Sequence, residues 1–236
     1  MKKILTTAIL CAGLVGFTAC DSFLDEDPKS SLTLDTYYKT SADIIGNVNY
    51  LYRDGAPDKM GNMTGAYRGS SLSVMNMVTG YFVNEYEGQE VDCSYARQLT
   101  RQDFTQSCCN YLTNDTWKSC YKSINVANAV IKYVDGVEMD NQAQYKAEAR
   151  FFRALNYFYL VKMFGDVPMV TEPTEDATLV EYPTRTAASE VFNTVIIPDL
   201  QFAVENLPNA TFAGNSHRVT KYAADMLLAD VYMRLG

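Results

Sequence analysis

Apolar residues in this chain recur at three- and four-residue intervals in several separate stretches, the spacing that lines one face of an α-helix. The first follows Ser41-Ala42-Asp43, sets Ile44, Ile45, Val48 and Leu51 on one side, and ends near Asp54-Gly55. A longer stripe runs through Trp117, Tyr121, Ile124, Ala127, Ile131 and Val134 and stops at Asp135-Gly136. Another begins near Asp140, aligns Ala147, Phe151, Ala154, Phe158 and Val161, and closes at Gly165 with Pro168 just beyond. Residues 186–205 predict a further helix through Ala188, Val191, Phe192, Val195, Leu200 and Val204, interrupted by Pro198. A proline inside a straight helix costs ~3 kcal/mol, so a kink or break is expected near Ile196-Ile197. Thr220 is expected to cap a last helix that turns Ala224, Leu227, Leu228, Val231 and Leu235 inward.

Between residues 56 and 110 the helical period decays into Gly, Ser, Asn and Tyr, with only residues 72–78 keeping a helical look. This predicts an irregular, aromatic-rich insertion, the kind of long connection where binding is commonly found. No stretch alternates like a strand for more than a few residues, although residues 167–171 suit a short extended segment. Paired helices with the Ala147/Phe151 and Ala154/Phe158 spacings predict an all-α fold of tetratricopeptide-like helix pairs, an α-solenoid in which each pair needs a stacked neighbour.

The first residues add an address. Lys2 and Lys3 precede an apolar run over residues 4–17, and small Thr18 and Ala19 precede Cys20, the order of a signal peptide followed by a lipidated cysteine. The run is too short for the ~20 residues of a bilayer-spanning helix. Cys11 would leave only about seven apolar residues before it, and the plainer alternative is an ordinary signal peptide with a buried thiol. The expected organisation is therefore a signal peptide over residues 1–19, a lipidated acidic tether over 20–35 and a helical region over 36–236. Two acyl attachments at Cys20 would hold the protein on a membrane stably.

Losing residues 1–19 removes two lysines and no acids, taking the formal charge from −8 to −10. An acidic surface without a Lys/Arg-rich run repels phosphate backbones, so nucleic acid is excluded as an expected partner, whereas a neutral or cationic ligand meets no barrier. Besides Cys20, the chain beyond the signal peptide carries Cys93, Cys108, Cys109 and Cys120. Export permits disulfides, and four cysteines allow three pairings among which sequence does not choose, although a bond between adjacent Cys108 and Cys109 would be strained. A zinc site is disfavoured because the chain has no CxxC pair and a single histidine, His217.

Several stretches together carry a family resemblance. They are the lipoprotein start followed by Phe23-Leu24-Asp25 and Pro28; Trp117, Tyr121, Ile124 and Ala127-Asn128; Glu148 with Arg150-Phe151 and Arg153-Ala154, running to Phe164-Gly165-Asp166-Val167-Pro168; and Thr220-Lys221, Ala223-Ala224, Leu227-Leu228-Ala229 and Val231-Tyr232. In this order the chain resembles the SusD/RagB family of nutrient-binding outer-membrane lipoproteins of Bacteroidetes. The resemblance implies helix pairs beside an irregular ligand-binding region. It also implies a cell-surface lipoprotein that captures an oligosaccharide, or in some members a peptide, and delivers it to a SusC-type TonB-dependent transporter. No cofactor is implied. Two departures stand out: family members run to about twice this length, so the chain looks truncated and its last helix short of a packing partner, and relatives tend to keep a helix former where this chain has Pro198.

A glycan site needs aromatic faces for sugar rings beside amides, carboxylates and guanidinium groups for the hydroxyls. Residues 81–97 supply them best, with Tyr81, Asn84, Tyr86, Tyr95 and Arg97 as the ligand-binding candidates and Phe82, Glu85 and Asp92 among them. The competing reading has these aromatics plugging the insertion onto the scaffold. Trp117 is expected in the core because it keeps helical register with Tyr121 and Ile124. Arg150 and Arg153 are expected to be structural, one pairing with Glu148 or Asp166. No nucleophile has a credible histidine partner, since His217 lies in a polar Gly214-Asn215-Ser216 loop, and carboxylate spacing in sequence does not define a glycosidase pair. The expected class is a non-enzymatic glycan binder, with a helical protein-interaction scaffold as the rival and a glycoside hydrolase third.

Overall fold

The computed structural model describes residues 34–53, 78–82, 100–102, 106–174 and 183–236. Cys20, the tether up to residue 33 and the expected helical turn at residues 72–77 lie outside them, while the last two tether residues, Leu34 and Asp35, open a short helix. The described part is helical, with a single antiparallel bridge between Val167 and Thr186 as its extended pairing. That bridge falls in the 167–171 segment expected to be extended.

A short α1 (Leu34–Tyr37) precedes α2 (Ser41–Arg53). Helix α2 starts on a reciprocal cap: the Thr40 N–H donates to Asp43 Oδ2 at 2.8 Å, and the Asp43 N–H to Thr40 Oγ1 at 3.4 Å. The Thr40 hydroxyl, donating to Asp43 Oδ2 at 2.7 Å, and then the Thr40 N–H hold the Asp43 carboxyl below the usual aspartate range. Ile44, Val48 and Leu51 then fall on one face and are fully buried, as their spacing requires.

Helix α3 (Gln106–Tyr133) is longer than its apolar stripe predicts, because its first turns are polar and give no periodic signal. Its buried side is Cys120, Ile124, Ala127, Val130 and, past a 3₁₀ turn (Val134–Gly136), Val134. The chain reverses there, and Gln142 Nε2 closes the reversal by donating to the Val134 and Val137 carbonyls at 2.8 and 3.0 Å. Helix α4 (Gln142–Phe164) is the centre of the fold. Its buried set, from Ala147 to Val161, goes well round the helix and includes both Phe151 and Phe152, since α2, α3 and α6 pack on it from different sides. Gly165 stops it at φ +68°, a conformation an L-residue adopts only under strain.

The Pro198 interruption takes the form of a widened turn. A short α5 (Ala188–Val191) passes through a π-helical turn (Phe192–Ile196) into α6 (Ile197–Asn206), where Pro198 occupies the first turn and its missing N–H leaves no gap. Buried pairs at 191/192, 195/196 and 199/200 repeat every four residues. A straight α-helix of 3.6 residues per turn drifts from that period, and the wider turn restores it. Helix α7 (Lys221–Leu235) packs on α6. Thr220 sits at its N-cap position, but its side chain makes no capping bond. Ala224 and Val231 are buried as expected, while Leu235 stays 47 % exposed.

The length of α3 also decides the cysteine question. Cys108, Cys109 and Cys120 lie on this one helix, so Cys120 is ~16–18 Å along the axis from the other two, far beyond the Cα separation a disulfide spans. Adjacent Cα atoms at ~3.8 Å are too close for an unstrained Cys108–Cys109 bond. Each of the three complete pairings contains one of these excluded bonds. At most one intrachain disulfide therefore forms among the four cysteines. Alkylation of the denatured, unreduced protein should label at least two of them, and a mass showing complete protection would contradict the α3 geometry.

Candidate functional site

The insertion contributes one described aromatic surface. At the turn over residues 78–82, Gly80 takes φ +77° and the Tyr81 N–H donates to Thr79 Oγ1 at 3.3 Å. Gln102 Nε2 reaches the Val78 carbonyl at 3.5 Å, tying the turn to the segment at 100–102. The result places two successive rings in solvent, Tyr81 89 % and Phe82 54 % exposed. Exposed aromatic faces without a partner are what sugar stacking needs. Asn84, Tyr86, Tyr95 and Arg97 lie outside the described residues.

Trp117 takes the scaffold role that its register implies. Its ring packs at 5.0 Å from Tyr121 and 5.1 Å from Phe164, with the Arg185 guanidinium 5.9 Å from its centre. Arg185 Nη1 also donates to the Asp166 carbonyl at 2.5 Å, and Asp166 Oδ1 accepts the first N–H of α5 from Ala188 at 2.9 Å. The segment after α4 is fixed by phenols. Tyr157 Oη donates to the Val170 carbonyl at 2.8 Å and accepts the Val170 N–H at 2.7 Å. Burial pushes its pKa up to about 12, which keeps the neutral hydroxyl able to do both. Tyr121 Oη donates to the Pro168 carbonyl at 2.7 Å.

Two buried ionic clusters hold the helices. In the first, Arg153 grips Asp199 through Nε at 2.6 Å and Nη2 at 2.9 Å, and Nη1 donates to Asn128 Oδ1 at 2.9 Å. Asn128 Nδ2 donates onward to the Val170 and Glu172 carbonyls at 3.0 and 3.2 Å. Burial raises the Asp199 carboxyl above its ordinary value, and the Arg153 hydrogen bonds and charge oppose that rise. Arg150 stacks on Phe202 at 4.3 Å and reaches Asp199 only at 3.8 Å. In the second cluster the fully buried Glu148 accepts from Arg218 Nη2 at 2.6 Å, Tyr52 Oη at 2.8 Å and Gln144 Nε2 at 3.1 Å. Arg218 also donates to Asn49 Oδ1 at 2.7 Å and lies over the Tyr52 and Tyr145 rings.

Arg150 and Arg153 are thus structural, as expected, but their partner is Asp199 on α6. Glu148 pairs with Arg218 and Asp166 caps α5, so neither of the two expected acids is used. Both buried carboxylates among the described residues have their oxygens taken by fixed donors, which leaves neither placed as an acid or base toward a substrate. His217 is exposed in its loop, edge-on to Phe212 at 5.2 Å.

A feature with no sequence signal is an open cleft of about 680 Å³ lined by Ser41, Ile45, Tyr145 and the reversal at 138–141. It combines residues about a hundred positions apart, which no local pattern reveals. Its aromatic wall, Tyr145, also carries the Arg218 guanidinium at 5.2 Å.

Among known proteins, the family model described as "Starch-binding associating with outer membrane", SusD-like, matches residues 22–233. A SusD-like protein of Formosa agariphila is 29 % identical over 239 residues, covering 100 % of this chain and 44 % of its own length. The crystal structure of a SusD superfamily protein from Parabacteroides distasonis is 27 % identical, with a TM-score of 0.62 over 80 % of this chain and 38 % of that one. A laminarin-binding SusD-like protein superposes with a TM-score of 0.67 at 24 % identity, over 83 % of this chain and 40 % of its own. The chain spans about two fifths of the length of these relatives. The match over residues 22–233, on a chain folded as stacked helix pairs, places this chain in the SusD-like family.

Proposed function

We propose that this protein is a cell-surface nutrient-capture lipoprotein, anchored through lipid on Cys20, that binds an oligosaccharide and passes it to a SusC-type TonB-dependent transporter without chemical change. The observation that carries this reading is the Tyr81-Phe82 pair, presented to solvent on a turn held at Gly80. The laminarin-binding relative with the same fold supports a saccharide as the ligand class. Asn84, Tyr86, Tyr95 and Arg97 complete the proposed site, with amide and guanidinium groups for sugar hydroxyls beside the ring faces. The net charge of −8 favours a neutral or cationic glycan over a polyanionic one.

Calorimetry against a panel of neutral and acidic oligosaccharides tests this. Tyr81→Ala should weaken the best binder about tenfold, or ~1.4 kcal/mol, the scale of one lost stacking contact. Its unfolding midpoint should not move, since an exposed ring contributes little to the core. Undiminished affinity in Tyr81→Ala would remove this residue from the site. Failure of every saccharide to bind would favour the protein-interaction scaffold.

A further inference from the structure

The cleft between the start of α2 and the reversal into α4 has three half-buried apolar groups, Ile45, Met139 and the Tyr145 ring, with polar side chains around them. Ser41 Oγ, the Glu138 and Asp140 carboxylates, the Asn141 amide and Tyr145 Oη all lack a hydrogen-bond or ion-pair partner among the described residues. Neighbouring polar groups are instead used up by the fold. Asp43 caps α2 through Thr40, Asp135 pairs with Lys146, and Gln142 ties the reversal to the Val134 and Val137 carbonyls. These ties fix both walls of the cleft while leaving its own polar ends free. Asn141 shows the contrast best: an asparagine at an N-cap ordinarily accepts a hydrogen bond from the first turn, yet this one holds φ 55° and makes no capping bond. At about 680 Å³ the space lies in the ~300–1,000 Å³ range of small-ligand sites.

We propose that this cleft is a second saccharide site, which takes one neutral sugar residue of a chain independently of the Tyr81 turn. The ligand class rests on the nutrient-capture reading, while the residues are the cleft's own. Two unpaired carboxylates repel an anion. A bare ammonium needs acceptors alone, whereas Ser41, Asn141 and Tyr145 also offer donors. A sugar residue matches the mixture. Each hydroxyl donates and accepts, adjacent hydroxyls pair with one carboxylate, and the C–H face of the ring has Ile45, Met139 and Tyr145 to lie on. A second weak contact on the same protein raises its affinity for a long glycan over a short one, because the tethered second binding event runs at a high effective concentration.

Amide chemical shifts of the full chain, titrated with the methyl glycosides of glucose, galactose, mannose and xylose in both anomers, test the proposal. At least one glycoside should move the Ser41, Glu138, Asp140 and Asn141 signals saturably in the millimolar range. Glu138→Gln combined with Asp140→Asn should weaken that response about tenfold, since charge-assisted hydrogen bonds to the sugar hydroxyls become neutral ones. Asn141→Gly, which keeps the left-handed backbone and removes only the amide, should act in the same direction and stands in if the double variant loses its fold. No movement of these signals with any glycoside overturns the proposal, as does an undiminished response in the folded variants. Movement with n-butylammonium but with no glycoside also overturns it, and assigns the cleft to a basic side chain of a partner. The two saccharide readings fail separately: movement at residues 78–82 without the cleft removes only this one, and movement at the cleft without residues 78–82 removes only the Tyr81 site.

Discussion

Asp199→Ala should cost about 3–5 kcal/mol of folding free energy, read as a fall in the denaturant midpoint. The reason is the charge left behind. Arg153 sits in a buried position with Asp199 as its bidentate partner, and removing the carboxylate strands a guanidinium that water barely reaches. Arg150, at 3.8 Å from the same carboxylate, loses its counter-charge too. The double change Arg153→Met with Asp199→Leu should be much milder, because replacing a buried pair by apolar groups of similar size is often close to neutral. Equal losses in the single and double variants would mean that packing, rather than stranded charge, dominates at this place.

Glu148→Ala should be as damaging globally, at about 3–5 kcal/mol, and its local signature is distinctive. This carboxylate joins three parts of the fold: Tyr52 from α2, Gln144 from its own helix and Arg218 from the loop before α7. Tyr52 Oη also accepts the Val219 N–H at 3.0 Å, and burial, with Glu148 beside it, pushes the phenol well above its ordinary pKa. Without Glu148 the half-buried Arg218 guanidinium loses its counter-charge, and the loop carrying left-handed Ser216 and His217 loses its main tie. Hydrogen exchange should therefore quicken first at Val219, ahead of the α3–α4 centre. Glu148→Gln should fall between, keeping an acceptor but not the charge. Exchange at Val219 that follows global unfolding in both variants would refute the local tie.

These two losses and the Tyr81→Ala effect separate stability from binding. The ionic clusters fix the helices that carry the insertion, while Tyr81 stands outside the core.

What was legible in the sequence is what the helix period encodes. Ile44, Val48 and Leu51, or Ile124, Ala127 and Val134, show their inward side through spacing alone, because a helix brings residues three and four apart onto one face whatever packs there. Gly165 announced the end of α4 for the same local reason, a backbone conformation that glycine adopts without strain. Tyr81 could be named as a ligand candidate from its surroundings in sequence, while its exposure on the turn at Gly80 is a feature of the folded backbone.

The charged residues show where sequence stopped. Arg153 meets Asp199 across 46 positions and Glu148 meets Arg218 across 70, while Glu148 and Asp166, the nearer acids considered for Arg150 and Arg153, are engaged elsewhere. An arginine accepts any carboxylate that the fold brings into reach, so its partner is set by which helices pack together and at what rotation, information that no local spacing contains. The same limit applies to Pro198. Sequence implied a disturbed helix, and only the packing of Val195, Ile196, Asp199 and Leu200 against α4 selected a widened turn over a break, since that turn keeps all four buried.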